Sequence, residues 1–213
     1  MRSKLTGFFC LFIFVIPFFS YAADIDEYSH KTEIKKAFDL NGRELEVKTC
    51  HKISYDMEDV KLMKNQYEGG ASVSLTDYLE IGGSYIFNDR HKNDDGHEIE
   101  AEVTLHFCLP LGIEAKDENK FCNDITEGTF GYQNELELCK EVLRHKSAFL
   151  CLLCGNVLAY DGPEDEFSED EIFIGLEFSP MEGLAVQAKY VYVDDLDSSD
   201  YSSKIETEVT YKF

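Results

Sequence analysis

The last ten residues, Lys204–Phe213 (KIETEVTYKF), alternate without a break. Ile205, Thr207, Val209, Tyr211 and Phe213 fall on one side; Lys204, Glu206, Glu208, Thr210 and Lys212 fall on the other. Side chains alternate with period two only in a β-strand, so this is a strand with one charged and one apolar face. Upstream, Leu184, Val186, Ala188, Tyr190 and Tyr192 oppose Gln187 and Lys189, and Ile172, Ile174, Leu176 and Phe178 oppose Glu171 and Glu177. Ile99, Ala101, Val103, Leu105 and Phe107 oppose Glu100, Glu102, Thr104 and His106. Residues 67–75, 79–87 and 130–138 behave alike, while 45–55 and 111–121 alternate more weakly. Residues 148–160 are apolar on both faces and fit least well.

That makes about ten strands from Arg43 onward, joined alternately by long polar loops and tight turns. The loops cover 56–66, 88–97, 123–128, 161–170 and 195–203; turns fall at Thr76-Asp77, Leu109-Pro110 and 180–183. Only around 130–138 do the roles swap, because 140–147 is long for a turn. Short turns at one end and longer loops at the other are the pattern of an outer-membrane barrel. The expected fold is an all-β, antiparallel up-and-down transmembrane β-barrel of about ten strands (10–12), occupying residues 43–213.

Residues 1–22 read as a cleaved secretory signal peptide. Arg2 and Lys4 precede the apolar run Phe8–Phe19, and Ser20-Tyr21-Ala22 supplies small residues before a cut. The run is too short for a helical membrane span, which takes about 20 residues. Residues 23–42 are expected to form a periplasmic lead-in. Lys31–Phe38 has strand character, but an eleventh strand would break the even count of bacterial barrels and leave the N-terminus on the loop side.

Charge excludes one class of partner. The chain has 20 Lys plus Arg against 42 Asp plus Glu, a formal −22, which the loss of Arg2 and Lys4 takes to −24. No nucleic-acid partner is expected, since phosphate binding needs a basic surplus. Yet 44% of residues are hydrophobic and 13% aromatic, too many for an acidic disordered chain.

Alternation also describes a soluble barrel, so the choice turns on where rings and charges lie. Apolar-face aromatics gather at strand ends. Tyr55, Tyr67, Tyr85, Phe87, Phe130, Tyr132, Tyr190 and Tyr192 lie toward the loops; Phe107, Phe178, Tyr211 and Phe213 lie toward the turns. Two such belts suit the two interfaces of a bilayer.

Tyr211-Lys212-Phe213 resembles the C-terminal insertion signal of bacterial outer-membrane barrels, in which the last strand closes on Phe. The order YEGGASVSLTDYLEIGGSYIFN (67–88), then an acid-led strand from His97-Glu98, then EIFIGLEFSPMEGLAVQAKYVY (171–192) resembles a family of uncharacterised outer-membrane barrels. This chain lacks the alternating arginines and the tryptophans of that family. The resemblance implies a location in the outer membrane of a Gram-negative bacterium. It also implies, as partners, outer-membrane lipid, lipopolysaccharide and the barrel-assembly machinery, the last engaging Tyr211 and Phe213.

Candidate chemistry is sparse. His106, with Glu100 and Glu102, is the candidate acid–base set for a lumen; a Glu–Lys charge network filling a narrow barrel is the plainer reading. Asp194, Asp195, Asp197 and Asp200 are candidates for divalent cations, without the spacing of an EF-hand loop. No cofactor is expected. Six cysteines follow the leader, and Cys50, Cys108, Cys122 and Cys139 share the polar face; Cys151 and Cys154 point apart, against a redox C-x-x-C. The functional expectation is a narrow or plugged envelope barrel, structural or permeable to small solutes. The alternatives are an outer-membrane hydrolase and a soluble periplasmic ligand-binding barrel.

Overall fold

Tight hairpins and long alternating runs leave a chain little choice but to pair each strand with the next. A computed structural model describes residues 25–57, 61–90, 95–162, 166–196 and 201–213. The expected signal peptide, residues 1–22, lies outside them. Eleven strands follow in order: β1 Glu27–Leu40, β2 Arg43–Asp56, β3 Lys61–Thr76, β4 Leu79–Arg90, β5 Gly96–Leu109 and β6 Ile113–Asp124. Then come β7 Thr129–His145, β8 Ala148–Asp161, β9 Glu166–Met181, β10 Leu184–Asp195 and β11 Tyr201–Lys212. Each pairs antiparallel with its sequence neighbour, and β1 pairs in parallel with β11 to close the barrel.

The all-β barrel agrees with the alternation, and its eleven strands fall within the expected 10–12, one more than the ten counted from Arg43. The difference is β1, which lies within the stretch (23–42) expected to be a lead-in. Asn41 and Gly42 both take positive φ, 55° and 81°, the backbone of a two-residue hairpin whose twist matches its strands. That turn folds β1 onto β2 along fourteen paired positions, Glu27↔Asp56 to Leu40↔Arg43. An odd number of up-and-down strands closes only if the first and last run the same way, which explains the parallel seam. At the seam Phe213 N–H donates to Lys35 C=O at 3.0 Å, and Ala37 N–H donates to Phe213 C=O at 3.2 Å. Even parity is a habit of bacterial barrels; the backbone requires only that no edge stay open.

All tight connections lie at one end: 41–42, 77–78, 110–112, 146–147 and 182–183. The strand ends at Asp56 and Lys61, Arg90 and Gly96, Asp124 and Thr129, Asp161 and Glu166, and Asp195 and Tyr201 lie at the other end, where β1 also begins. The swap of roles around 130–138 is absent, because β7 runs on to His145 and turns at Lys146-Ser147. The expected loops were too long for a related reason. Beyond the sided part of the wall both faces of a strand meet similar surroundings, so pairing continues where alternation stops.

Eleven-stranded closure is testable through Thr32 and Val209, which face each other across the β1–β11 seam on the outer wall. With the six mature cysteines changed to serine, Thr32→Cys plus Val209→Cys should link on oxidation, read by mass spectrometry of the joined peptides. A barrel closed between β2 and β11 would give no link.

Candidate functional site

The polarity of the wall is inverted relative to a water-soluble barrel. Large apolar side chains cover the outside, with Ile172 and Ile174 of β9 each 57% exposed and Ile99 of β5 52% exposed. The inside is charged. Among the described residues its cavity, of about 650 Å³, is lined by nine lysines and twelve glutamates, with no aspartate or arginine. The lining therefore carries a formal charge of −3 in a chain of −22, so most of the acid surplus sits elsewhere.

Five lumen lysines, Lys31, Lys35, Lys48, Lys189 and Lys204, each sit between two carboxylates. Lys48 Nζ lies 3.1 Å from Glu68 and 3.2 Å from Glu102, reaching from β2 to β5. Lys189 Nζ lies 2.6 Å from Glu137 and 3.4 Å from Glu135, reaching from β10 to β7. Lys204 joins Glu171 at 2.6 Å and Glu206 at 3.3 Å. Lys116 and Lys120 both hold Glu118, and Lys31 and Lys35 both approach Glu33. Lys48–Glu102, Lys189 with Glu135 and Glu137, and Lys204–Glu171 tie strands that share no ladder and brace the barrel across its bore; the other contacts of these lysines lie within one strand or between paired neighbours.

Two glycines make room for the longest reaches. Gly70 is the register partner of Lys48 and Gly175 that of Lys189. A Cβ on Gly70 would stand 2.8 Å from Ser84 Cβ and 3.1 Å from Lys48 Cε; one on Gly175 would stand 2.5 Å from Ala188 C=O and 3.0 Å from Lys189 Cγ. Neither position admits a side chain without moving the backbone or the lysine stem.

One sector of the lumen is apolar. Val157 of β8, Phe173 of β9 and Val191 of β10 form a buried cluster with Val193 against it, and Lys189 Nζ lies 4.2 Å above the Phe173 ring. This accounts for the two-sided apolarity of 148–160. One face, with Cys151, Leu153 and Val157, lines the inside, while Leu152 and Cys154 face outward.

The candidate acid–base residues are not brought together. His106 lies at the exposed turn-side end of β5, four residues, or about 13 Å, beyond Glu102. Thr104 intervenes, 2% exposed, with its hydroxyl on Glu102 at 3.0 Å. Glu102 is held by Lys48, and Glu100 accepts from Ser84 Oγ at 3.2 Å and Cys122 Sγ at 3.4 Å. Of the cation candidates, Asp197 and Asp200 lie outside the described residues. Asp194 and Asp195 end β10 on opposite faces, and no cluster of three potential ligands occurs among the described residues. The six cysteines among the described residues are free; Cys50 and Cys122 line the cavity, and the Cys139 and Cys151 thiols meet between β7 and β8.

Outside, rings meet around the loop-side end: His51–Tyr67, Tyr67–Phe87, Phe87–His97, Phe121–Tyr132, Tyr160–Phe167 and Tyr192–Tyr201, with centroids 4.7–6.4 Å apart. Tyr85 belongs to the same belt and shares a 2.5 Å hydrogen bond with His97. The histidines, Phe121, Tyr160, Phe167 and Tyr201 are additions to the expected belt; period two carried to the strand ends and into the loops includes them. Tyr211 and Phe213, 40% and 76% exposed, mark the turn-side end of β11.

No protein-family model matches this chain and no curated protein matches it, so its geometry carries the functional reading.

Lys189→Met would strand Glu135 and Glu137 and should lower stability to urea by about 1–3 kcal/mol, less than the ~3–5 of a dry site because the cavity admits water. Adding Glu137→Gln should recover part of the loss, which a double-mutant cycle of unfolding midpoints would measure.

Proposed function

We propose that this chain is an outer-membrane β-barrel whose lumen is closed by its own lysine–glutamate lattice, acting as a structural envelope element or a pathway for only the smallest solutes. One observation carries the reading: charge is inside and apolar surface outside, the reverse of what water would stabilise. Hydrocarbon around the wall makes that arrangement favourable, and closure of the barrel leaves no backbone edge unpaired within it. Strands of 12 to 17 residues exceed the roughly 9–11 needed to cross. The ring belt suits one interface and Tyr211 and Phe213 the other. Export by the N-terminal leader and docking of the last strand on assembly machinery complete the proposal.

The lumen favours closure over conduction. Eleven strands enclose a space comparable to a small-molecule site, and opposed charges cross it from β2 to β5 and from β10 to β7. The net −3 of the lining would favour small cations over anions in any residual leak.

Two readouts test this. The native protein should require detergent for extraction from the outer-membrane fraction and migrate differently before and after boiling. Reconstituted in a planar bilayer, it should show no large stable conductance, and Lys48→Ala plus Lys189→Ala should raise the leak. Recovery from the soluble periplasm without detergent would overturn the membrane reading; a large open pore in the unmodified protein would overturn the plug.

A further inference from the structure

The outer wall is not uniformly apolar. Two polar patches interrupt it, each reaching from the loop-side ring belt into the wall, and the part below the belt is difficult to place against hydrocarbon. The inference rests on the membrane reading, because only there do they lack water.

The first patch spans β6–β8. Asp117, Asn119, Asn134 and Asn156 project outward, Asp117 between its register neighbours Leu105 and Leu136 and Asn156 beyond Leu136. Asn134 Nδ2 donates to Asp117 Oδ1 at 2.7 Å and to Asn119 Oδ1 at 3.2 Å. Asn119 Nδ2 donates to Asp117 Oδ1 at 3.3 Å, and Tyr132 donates its hydroxyl to Asn119 Oδ1 at 2.6 Å. All the donors to Asp117 converge on one oxygen. Among the described residues its second oxygen has no hydrogen-bond partner, and neither does the Asn156 carboxamide, whose register neighbours are Leu136 and Ile172. Charged and amide groups left this way on a hydrocarbon-facing wall are costly, most of all near mid-depth.

The second patch spans β1–β3: Thr32, Thr49, His51 and Asn65. His51 Nε2–H donates to Asn65 Oδ1 at 2.6 Å, and its ring stacks on Tyr67 at 4.7 Å. Its other ring nitrogen has no hydrogen-bond partner among the described residues. Nearby, His30 is satisfied by Thr207 at 2.8 Å and Thr32 at 3.2 Å.

The patches match in depth, position and chemistry. Counted from the loop-side strand ends, Asn119, Asn134 and Asn156 sit five residues in and Asp117 seven; Thr32 and His51 sit five in and Thr49 seven. Their central strands, β2 and β7, are five strands apart one way round and six the other, so the patches face opposite directions. A carboxylate with carboxamides confronts an imidazole with hydroxyls. The open nitrogen of His51 accepts from a carboxamide N–H when neutral and donates to Asp117 when protonated. A symmetric contact of β6–β8 with itself would oppose two Asp117 carboxylates.

We propose that copies of this chain associate side by side in the membrane, the β6–β8 face of one barrel against the β1–β3 face of the next. Because the faces point oppositely, the contact is head-to-tail and builds open rows.

The test uses the mature protein in detergent micelles and in lipid vesicles, with mass measured by light scattering and by crosslinking. The unmodified barrel should form oligomers that grow with protein-to-lipid ratio. Asp117→Leu with Asn156→Leu should be monomeric, as should His51→Leu with Asn65→Leu. A mixture of the two variants should stop at dimers, since each retains one working face. Asp117→Asn, which preserves shape, should weaken association by at least ~10-fold. Each sample is also read by its shift on boiling, which reports the membrane barrel independently. Shifting barrels that stay monomeric, a face variant that assembles like the unmodified protein, or a mixture without dimers would overturn the association alone. Protein that shows no shift and stays soluble without detergent would overturn the membrane reading and the association with it.

Discussion

Pairing of lysine with glutamate across the bore is the interaction on which the rest of this barrel depends. An inward face made of charge is stable only where every ammonium meets carboxylates, because an uncompensated buried charge costs several kcal/mol. Lys48 and Lys189 each span from one strand to another three places away, and Gly70 and Gly175 clear the space they use. Ser84 and Cys122 take up Glu100, and Gln187 takes up Glu177 at 2.7 Å. The lining thus holds a small surplus of acid without a large field, while the rest of the chain's −22 stays outside the bore.

A lumen committed to charge forces the apolar residues outward. Period two gives each strand a single alternative face, so once lysine and glutamate point in, isoleucine, leucine and the rings point out. The apolar sector at Val157, Phe173 and Val191 is the exception on the inside. It stands where β8 has no charge to contribute, and the ammonium of Lys189 caps it over the Phe173 ring. Polar residues at Asp117, Asn156 and His51 are the exceptions outside, and they are what gives two sides of the barrel a distinct surface.

Most of the wall was legible in the sequence, and the places where it was not share a cause. Strands with a charged face and an apolar face, such as β5, β9, β10 and β11, alternate plainly. Strand β6 alternates weakly because Asp117 and Asn119 occupy its outer face, and β2 because Thr49 and His51 do. The weak signal was itself the mark of the polar patches. Strand β1 was hardest, with Lys31, Glu33 and Lys35 inward but His30, Thr32 and Lys36 outward, so polarity fails to separate its faces. The inward glutamates were readable as a charge network; their partners were not, because the lysines that bind them come from strands far apart in sequence. His106 shares the inward parity of Glu102, and parity carries no information about the distance along the strand that separates them.

Accessibility along β9 tests the central claim most directly. A nitroxide placed in turn at residues 172, 173, 174, 176 and 177 in lipid vesicles reports contact with oxygen, which concentrates in hydrocarbon, and with a water-soluble nickel complex. Oxygen contact should be high at 172, 174 and 176 and low at 173 and 177, with the nickel complex excluded from the first set. The opposite phase, or nickel contact at 172 and 174 equal to that of a loop position, would contradict it.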